Sequence, residues 1–503
     1  MKNKYSLLII NILLFYCNCL DNSTLSNYKD IVLAELTGVF TPDFDKEIIN
    51  GTLNYTFTAL KNGSEILLDA RYLKINSIKK YEENEAKELK FKYGEPHKLY
   101  GRPLVISCNY TENETLIINI EYKTTKNGTA AQFLKKEQTV GKEYPFLLTI
   151  SEMTLGRELL PSQDTPAVKF PFYLGMKVKN PIRGMISGLY QENITEENNM
   201  TTYYYNQSIP VPNYLIALAA GRIEEQIISE NVSVFAEPEI LDESANELDE
   251  MPKVLEIAIK QNGPYEWGKY NILILPASFP YSAMENPCLT FASSCLINGD
   301  KSLFDIFVHE LTHSWSGNLV TNENWRDFWL NEGITKYRQR QIVAEWKGNE
   351  DYPKMDAILG LYHIEEALDY LGRNSNATCL RPNLDDVSPD NIYSDIPYEK
   401  GYNFNFLVKN SCCFSVKNSF LSSNFKKNTV FDVCIQFVNV LANSSSSNSP
   451  LINLSNSFST SVKYELFKSL GTGQGPAPYI QEFQSIEFNL SIGTELFLQN
   501  SSK

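Results

Sequence analysis

Positive charge and long apolar runs are both scarce in this 503-residue sequence. The 45 Lys and Arg residues are outnumbered by 60 Asp and Glu residues, and the formal net charge is −15. This balance argues against nucleic acid or an anionic membrane as the main partner. After residue 20 no apolar run is long enough to span a bilayer. Of the 9 cysteines, Cys17 and Cys19 lie in the apolar run at the N-terminus, which leaves seven. This odd, widely spaced set excludes a CxxC zinc ribbon and a disulfide scaffold.

The N-terminus has the features of a targeting segment. Lys2 and Lys4 precede an apolar run from Tyr5 to Leu20, which predicts a cleaved secretory signal peptide over residues 1–20, with a retained membrane anchor as the alternative. Sixteen Asn-x-Ser/Thr sequons follow between Asn22 and Asn500, and they agree with passage through a secretory pathway. We therefore expect a secreted glycoprotein.

The pattern over residues 21–221 is that of β-structure. Residues 115–122 alternate apolar and polar side chains, and Asn-Gly pairs such as Asn62-Gly63 separate the strand-like runs. The polar stretch from Gln191 to Asn206 predicts a long solvated loop within this domain.

Helical spacing dominates after residue 221. It predicts helices over Met251–Lys260, Lys301–Trp315 and Asp327–Trp346, and Tyr270–Leu275 predicts a buried strand between the first two. Asp300 or Ser302 is placed to cap the second helix and Gly348 to end the third. The prediction is an α+β protein with a β-rich domain over 21–221, a mainly helical domain over 222–480 and a tail over 481–503.

Two of the four histidines lie four residues apart in the segment His309-Glu310-Leu311-Thr312-His313. On a helix this spacing puts both imidazoles on one face, and Glu310 can reach a water on a metal held there. Glu332, in Asn331-Glu332-Gly333, offers the carboxylate that completes a His₂Glu catalytic site for one Zn²⁺ ion.

With these motifs in place, the chain resembles the gluzincin aminopeptidases, in particular the leukotriene A4 hydrolase and aminopeptidase B branch. The resemblance runs from about residue 22 to 405 and is densest from Pro210 to Lys347, where residues 276–289 (PASFPYSAMENPCL) and Gly299–Leu303 match the family. It implies that the β-rich domain is saddle-like and that the mainly helical domain over 222–480 is a thermolysin-like zinc peptidase domain. Cys288 falls in this stretch, and we expect it to be a buried core thiol.

The resemblance also implies roles for residues outside the metal motif. Glu285 corresponds to the glutamate that holds the free α-amino group of the substrate. A carboxylate suits this role, since a buried one gives a protonated amine a charge-assisted hydrogen bond. Glu152 is a possible second amine contact. Tyr398 in Pro397-Tyr398-Glu399-Lys400-Gly401 matches the donor to the oxyanion, and Tyr393 matches a neighbouring tyrosine.

The resemblance further implies a wall and a pocket for the substrate. Ser282, Ala283 and Met284 form the segment whose backbone pairs with the substrate main chain as an edge strand does; the family has Gly at the position of Ser282. The expected pocket-lining residues are Tyr281, Trp325, Phe328, Leu384, Pro389 and Asp390. Asp390 could favour a basic N-terminal residue.

The family continues into a C-terminal helical domain. We expect this sequence to lack that domain, since Gly471–Tyr479 resembles the linker that precedes it and Lys503 follows soon after. We expect the segment from Asn410 to Leu470, which matches poorly, to leave apolar surface that a partner chain or glycans cover. The predicted function is a secreted zinc aminopeptidase acting on short peptides with a free N-terminus. The alternatives are an epoxide hydrolase like leukotriene A4 hydrolase and a catalytically weak peptide-binding relative.

Overall fold

A computed structural model describes residues 21–82, 85–196, 198–407, 486–491 and 495–500, the last two ranges in backbone only. The predicted signal peptide, the end of the predicted helical domain and the region for which we predict a partner chain lie outside these ranges. In the part of the chain that is described, no helix is both long and apolar enough to cross a bilayer.

The N-terminal part consists almost wholly of β-strands. Its elements are β1 (Ile31–Asp43), β2 (Ile48–Ala59), β3 (Gly63–Ala70), β4 (Leu73–Glu82), β5 (Glu85–Glu88), β6 (Phe91–Tyr93), β7 (Arg102–Tyr110), β8 (Thr115–Thr124), β9 (Ala131–Leu134), β10 (Phe146–Thr149), the short α1 (Gly156–Leu159), β11 (Lys169–Lys179), β12 (Arg183–Ile186), β13 (Leu189–Thr195), β14 (Met200–Pro212) and β15 (Leu218–Gly221).

These strands form three sheets. The largest has eight strands in the order β13-β14-β11-β1-β2-β8-β4-β5, and two smaller sheets have the orders β3-β7-β6 and β12-β15-β10-β9. In β2 and β8 every second side chain is buried over most of the strand, which leaves one face of the large sheet on the core and the other in solvent. Leu53, Tyr55, Ile118 and Ile120 are among the fully buried residues.

The loop predicted over Gln191–Asn206 is wrong. This stretch is a hairpin of β13 and β14 with a shift of register between Tyr190 and Glu192. β13 is the edge strand of the large sheet, and its side chains after Leu189 are exposed on both faces. A strand that buries neither face has no reason to alternate polar and apolar residues, so its sequence lacks the usual signal.

The second part is mainly helical around a five-stranded sheet of order β16-β17-β18-β20-β19. Its elements are β16 (Glu224–Ser229), β17 (Val232–Ala236), α2 (Pro238–Glu247), α3 (Met251–Asn262), β18 (Tyr270–Leu275), β19 (Ala283–Met284), β20 (Thr290–Ser293), α4 (Phe304–His313), α5 (Phe328–Lys347) and α6 (Tyr352–Leu371). The strands β21 (Ile486–Ser491) and β22 (Glu495–Asn500) form a separate pair.

The prediction of an α+β protein, β-rich first and helical second, is confirmed. The buried strand at Tyr270–Leu275 is β18, and Gly348 ends α5 in the left-handed conformation with φ of 62°. The predicted N-cap of α4 is wrong: the helix starts after Leu303 without a side-chain cap. Asp300 instead accepts a hydrogen bond from the backbone N–H of Ser302 at 2.9 Å, before the helix begins.

Packing against the sheet orients α4. Phe307, Val308 and Leu311 lie in a core shared with Val234 and Ile272 of the sheet. Because this apolar face points to the sheet, the opposite face of α4 is turned toward α5, with which it makes close contact.

Candidate active site

Three donor atoms from two helices converge at the contact of α4 and α5. His309 and His313 lie one turn apart on α4, and their Nε2 atoms are 3.0 Å apart. The Oε2 atom of Glu332, on α5, lies 3.1 Å from Nε2 of His309 and 3.4 Å from Nε2 of His313. Three ligands of one tetrahedral zinc ion, each at about 2.0–2.1 Å from it, would be separated by about 3.3 Å.

The groups behind the two imidazoles fix which ring nitrogen carries a proton. Nδ1 of His309 lies 3.1 Å from the amide oxygen of Gln339, and Nδ1 of His313 lies 3.0 Å from the carbonyl oxygen of Ser316. Gln339 is held in this orientation because its Nε2 donates to the carbonyl of Asp305 at 2.9 Å. Both Nδ1 atoms therefore donate, which leaves each Nε2 of a neutral ring with a lone pair.

Two lone pairs facing each other beside a carboxylate oxygen repel unless a cation lies between them. Burial lowers the pKa of His309 to about 4, which keeps this imidazole neutral. Burial also acts to lower the pKa of His313, but the carboxylates of Glu285 and Glu332 outweigh it and raise that pKa well above its usual value. Positive charge is thus favoured at this point, and the donor set fits Zn²⁺.

Further carboxylates surround the donor set. Glu310 is 7% exposed and Glu285 is 4% exposed, and an oxygen of each lies within 4.8 Å of a ring nitrogen of His313 and of the other. Burial raises the pKa of both carboxyl groups above the ordinary value. Glu152 is half-buried, but its Oε1 is sealed from solvent, and burial together with the charge of Glu285 raises its pKa well above 4.5.

Two of these carboxylates have free acceptor capacity. Within the described part of the chain, neither Oε1 of Glu285 nor Oε1 of Glu152 has a hydrogen-bond partner. A buried acceptor without a donor is costly. The backbone of Glu285 is fixed, since its carbonyl accepts a hydrogen bond of 2.7 Å from the side chain of Asn318.

The segment before Glu285 lies at the edge of a sheet. Ala283 and Met284 form β19, a terminal strand of the five-stranded sheet, and among the described residues they pair only with β20. The carbonyl of Ser282 accepts from the N–H of Ser293 at 2.9 Å, and Ser282 is not among the described residues with positive φ. Serine is therefore unstrained where the family has glycine, and the free side of β19 can pair with another extended chain.

Two tyrosines stand next to the donor set. The ring of Tyr398 lies 5.7 Å from that of His309, and its hydroxyl shares a hydrogen bond of 2.8 Å with that of Tyr393. Tyr281 packs edge-on against Tyr393, with ring centroids 6.0 Å apart. Burial and the charge of Glu332 raise the pKa of Tyr398 well above 10, so its hydroxyl remains a donor at neutral pH.

Asp390 does not offer a free charge to a ligand. Its Oδ1 accepts from the N–H groups of Met153 and Thr154 at 3.0 and 3.2 Å, and its Oδ2 accepts from the hydroxyls of Thr154 and Ser388 at 2.5 and 2.8 Å. The carboxylate thus fixes the segment that follows Glu152. This differs from the expectation that Asp390 selects a basic N-terminal residue, because its lone pairs already have partners.

Three of the expected pocket residues, Trp325, Phe328 and Pro389, line a cavity of about 30 Å³, together with Tyr393 and Met153. Tyr281 and Asp390 are not among the residues lining it. Leu384 is buried in the core at 5% exposure but is not among the residues lining this cavity. Cys288 is 2% exposed and has no disulfide partner among the cysteines that the structure describes, as expected of a core thiol.

Comparison with known proteins places this arrangement in a family. Residues 34–215 match the Peptidase M1 N-terminal domain and residues 246–458 match the Peptidase family M1 domain. The native leukotriene A4 hydrolase from Saccharomyces cerevisiae has the same fold with a TM-score of 0.75 and 30% sequence identity, over 94% of this chain and 73% of that one. This chain belongs to peptidase family M1.

Curated M1 relatives agree, and they are longer than this chain. The leukotriene A-4 hydrolase of Xenopus laevis is 37% identical over 372 residues, which are 73% of this chain and 60% of that protein. Leucine aminopeptidase 2 of Neosartorya fischeri is 37% identical over 415 residues, 81% of this chain and 66% of that protein. The chain therefore spans about two thirds of the length of these relatives.

Zinc is the cofactor of the M1 peptidases, and the donors described above fit it.

The sequence analysis does not predict the groups that accept hydrogen bonds from the Nδ1 atoms of the two histidines. Gln339 lies seven residues after Glu332, two turns along the same face of α5, so its helical spacing could have revealed it. The carbonyl of Ser316 carries no signal in the sequence, because any residue has a backbone carbonyl.

Proposed function

We propose that this M1 chain is an aminopeptidase that releases N-terminal residues from short peptides. One observation carries the proposal: Glu285 and Glu152 each have a buried carboxylate oxygen without a hydrogen-bond partner in the described structure. Glu285 lies within 4.8 Å of His313, and Glu152 is near enough to Glu285 and Glu332 for their charges to raise its pKa. A protonated α-amino group brings both the positive charge and the N–H donors that these oxygens require. An internal peptide bond offers neither, so a chain end is preferred.

The other residues of the site fit the hydrolysis of the first peptide bond. His309, His313 and Glu332 would hold Zn²⁺, which would supply Lewis-acid chemistry for acidifying a water and polarising a carbonyl group. Glu310 accepts the proton of the attacking water and transfers it to the leaving amine, a role to which its raised pKa is suited. The hydroxyl of Tyr398 donates to the carbonyl oxygen as negative charge develops on it. The free edge of β19 aligns the peptide backbone.

The test compares fluorogenic aminoacyl substrates that have a free amine with their N-acetylated forms. We expect hydrolysis of the free-amine forms only, and we expect Glu285→Gln to lower kcat/KM by about 10- to 100-fold, since it removes a charge-assisted hydrogen bond. Glu256→Gln, an exposed substitution on α3, is the matched control and should have no effect. Equal cleavage of the acetylated substrates would contradict the proposal. Zinc binding without hydrolysis of any substrate would favour the peptide-binding alternative.

Epoxide hydrolysis is a second candidate because of the 37% identity to a leukotriene A-4 hydrolase. The hydrogen bonds that Asp390 already accepts count against its use in directing a water to an epoxide-derived carbocation. Turnover of a fatty-acid epoxide by the zinc-loaded chain that is lost in Asp390→Asn would support this candidate.

We also propose that the chain enters the secretory pathway and is glycosylated. Of the twelve sequon asparagines whose side chains are described, ten are exposed and two are half-buried, so their exposure is compatible with attached glycans. Expression in a eukaryotic host should give protein in the medium whose mass falls on treatment with an N-glycosidase. Retention in the cytosol at the mass of the bare polypeptide would contradict this proposal.

A further inference from the structure

The zinc ligand Glu332 and the proposed oxyanion donor Tyr398 are positioned by one helix, α5. Glu332 is on the helix itself. Tyr398 lies in a π-helical turn over Ile396–Lys400 that packs across α5. Two contacts between this turn and α5 fix their relative position.

The first contact is an approach of two backbones at glycines. Gly333 follows the ligand Glu332 directly, and Gly401 follows the turn that carries Tyr398. A Cβ atom on Gly333 would lie 2.5 Å from the Cα of Gly401, and one on Gly401 would lie 2.7 Å from the Cα of Gly333. Neither glycine has positive φ, so close approach rather than backbone conformation requires glycine here.

The second contact is a buried ion pair two turns further along α5. Nη2 of Arg340 donates to both oxygens of Glu399, the residue after Tyr398, at 3.0 and 2.9 Å. Arg340 is 1% exposed and Glu399 is 3% exposed. Nε of Arg340 also donates to Asp356 of α6 at 2.6 Å, and its guanidinium lies 3.9 Å from the ring centroid of Tyr402.

The helix α6 holds Glu399 from its other side. A Cβ atom on Gly360 would lie 2.0 Å from an oxygen of Glu399, so this carboxylate occupies space that any other residue at position 360 would fill. The side chain next to Tyr398 is thereby held between two helices. Contact from both sides can restrict the neighbouring Tyr398 side chain to the narrow range of positions that catalysis requires.

From these contacts we infer that Arg340, acting through Glu399, and the Gly333–Gly401 contact are positioning features for the hydroxyl of Tyr398. They do not touch the substrate. They set the distance between the oxyanion donor and the metal ligands, and so they act on the step in which the carbonyl oxygen becomes negative. This inference rests on the proposed peptidase function.

The test is a double-mutant cycle between Arg340→Lys and Tyr398→Phe, with zinc content and substrate kinetics measured for each variant. Lysine keeps the charge of Arg340 but cannot reproduce its planar fork. We expect Arg340→Lys to retain zinc, to lower kcat by about 10- to 100-fold and to change KM less than about twofold. In the Tyr398→Phe background the same change should have almost no further effect, because the hydroxyl that it positions is already absent.

Further variants separate positioning from a general loss of stability. Glu399→Gln keeps the shape of the side chain and should reproduce the effect of Arg340→Lys, whereas Gly401→Ala places a methyl group against backbone and is used only if it folds. Gly51→Ala is the matched control, since its Cβ would lie 2.3 Å from the ring of Tyr122 in the N-terminal part. It should lower the unfolding temperature without lowering kcat.

The outcomes are distinguishable. Multiplicative losses of kcat in the double variant, or a rise in KM at constant kcat, would overturn the positioning role while the peptidase function stands. Wild-type protein that binds zinc but hydrolyses no aminoacyl substrate would overturn the proposed function, and the inference with it.

Discussion

Glu310 and Glu332 are buried carboxylates on facing helices, and their pKa values move in opposite directions. Burial acts to raise the pKa of each. At Glu310 it dominates, and the pKa lies well above 4.5. At Glu332 the contacts with His313 and His309 outweigh burial and bring the pKa down to about 2. One carboxylate is thus suited to transfer a proton and the other to remain an anionic ligand.

This difference predicts the outcome of Glu310→Gln. Glutamine fills the same space and removes no metal donor, so we expect zinc content equal to that of wild type. Because the amide cannot accept the proton of water, kcat should fall by about 10²- to 10⁴-fold. Metal analysis and initial rates on one preparation check both expectations. Glu332→Gln is the contrasting variant and should lose zinc as well as activity; turnover at the wild-type rate in Glu310→Gln would refute the assigned role.

At this scale the sequence predicts residues whose chemistry depends on local spacing. His309, Glu310 and His313 sit on one helical turn, so their grouping follows from helix geometry alone. The structural role of Asp390 could not be predicted, because its carboxylate accepts hydrogen bonds from the N–H groups of residues 153 and 154, which lie more than two hundred positions away in the sequence. The residue type alone does not show whether a carboxylate contacts a ligand or fixes a loop.

Among the elements, α5 carries the largest share of the site. It contributes Glu332, the Gln339 that orients His309, and the Arg340 that holds Glu399. Buried residues occur on most of its faces. A helix surrounded by protein in this way is stabilised mainly by packing. The residue that ends it contributes little to helix formation and mainly determines where the next element begins.

The end of α5 provides a test at the scale of the element. Gly348 has φ of 62° and ψ of 30°, and a Cβ atom there would meet nothing within 4 Å. Gly348→Ala should therefore cost about 1 kcal/mol of unfolding free energy through backbone strain alone. Equilibrium denaturation measures this cost, and kcat/KM should be unchanged. Gly348→Asn is the matched variant and should cost less, because asparagine tolerates this conformation; equal losses would contradict the explanation.

Elements that bury a face were predictable and those that do not were missed. β18 is an apolar run between parallel neighbours, and its burial appears directly in its composition. β13 lies at an edge with solvent on both faces, and its sequence alone predicts a loop. At the start of α4 the sequence predicts a cap at Asp300 or Ser302. In the structure Asp300 accepts a hydrogen bond from the backbone N–H of Ser302 before the helix begins, a local contact that competes with capping.

At the scale of the whole molecule, carboxyl groups from the N-terminal part and the helical part meet at the site. The chain carries a formal net charge of −15, and Glu152 of the N-terminal part faces Glu285, Glu310 and Glu332 of the helical part closely enough for their charges to raise its pKa. Like charges brought together without counterions oppose folding. A divalent cation at the donor set is the natural counterion, so zinc should stabilise the fold as well as serve catalysis.

Removal of zinc is accordingly predicted to destabilise the protein. A ligand that binds only the folded state adds RT ln(1 + [L]/Kd), or about 4 kcal/mol at a thousandfold excess over Kd. We expect a chelator to lower the unfolding temperature by several degrees and added Zn²⁺ to restore it. All scans use one fixed heating rate, because a chain of this size need not unfold in a single reversible step. Glu310→Gln, which keeps every ligand, should show the same zinc-dependent shift. His313→Ala, which removes one ligand, should show a smaller shift or none. A chelator that leaves wild type and His313→Ala equally stable would show that the buried carboxylates are compensated without the metal.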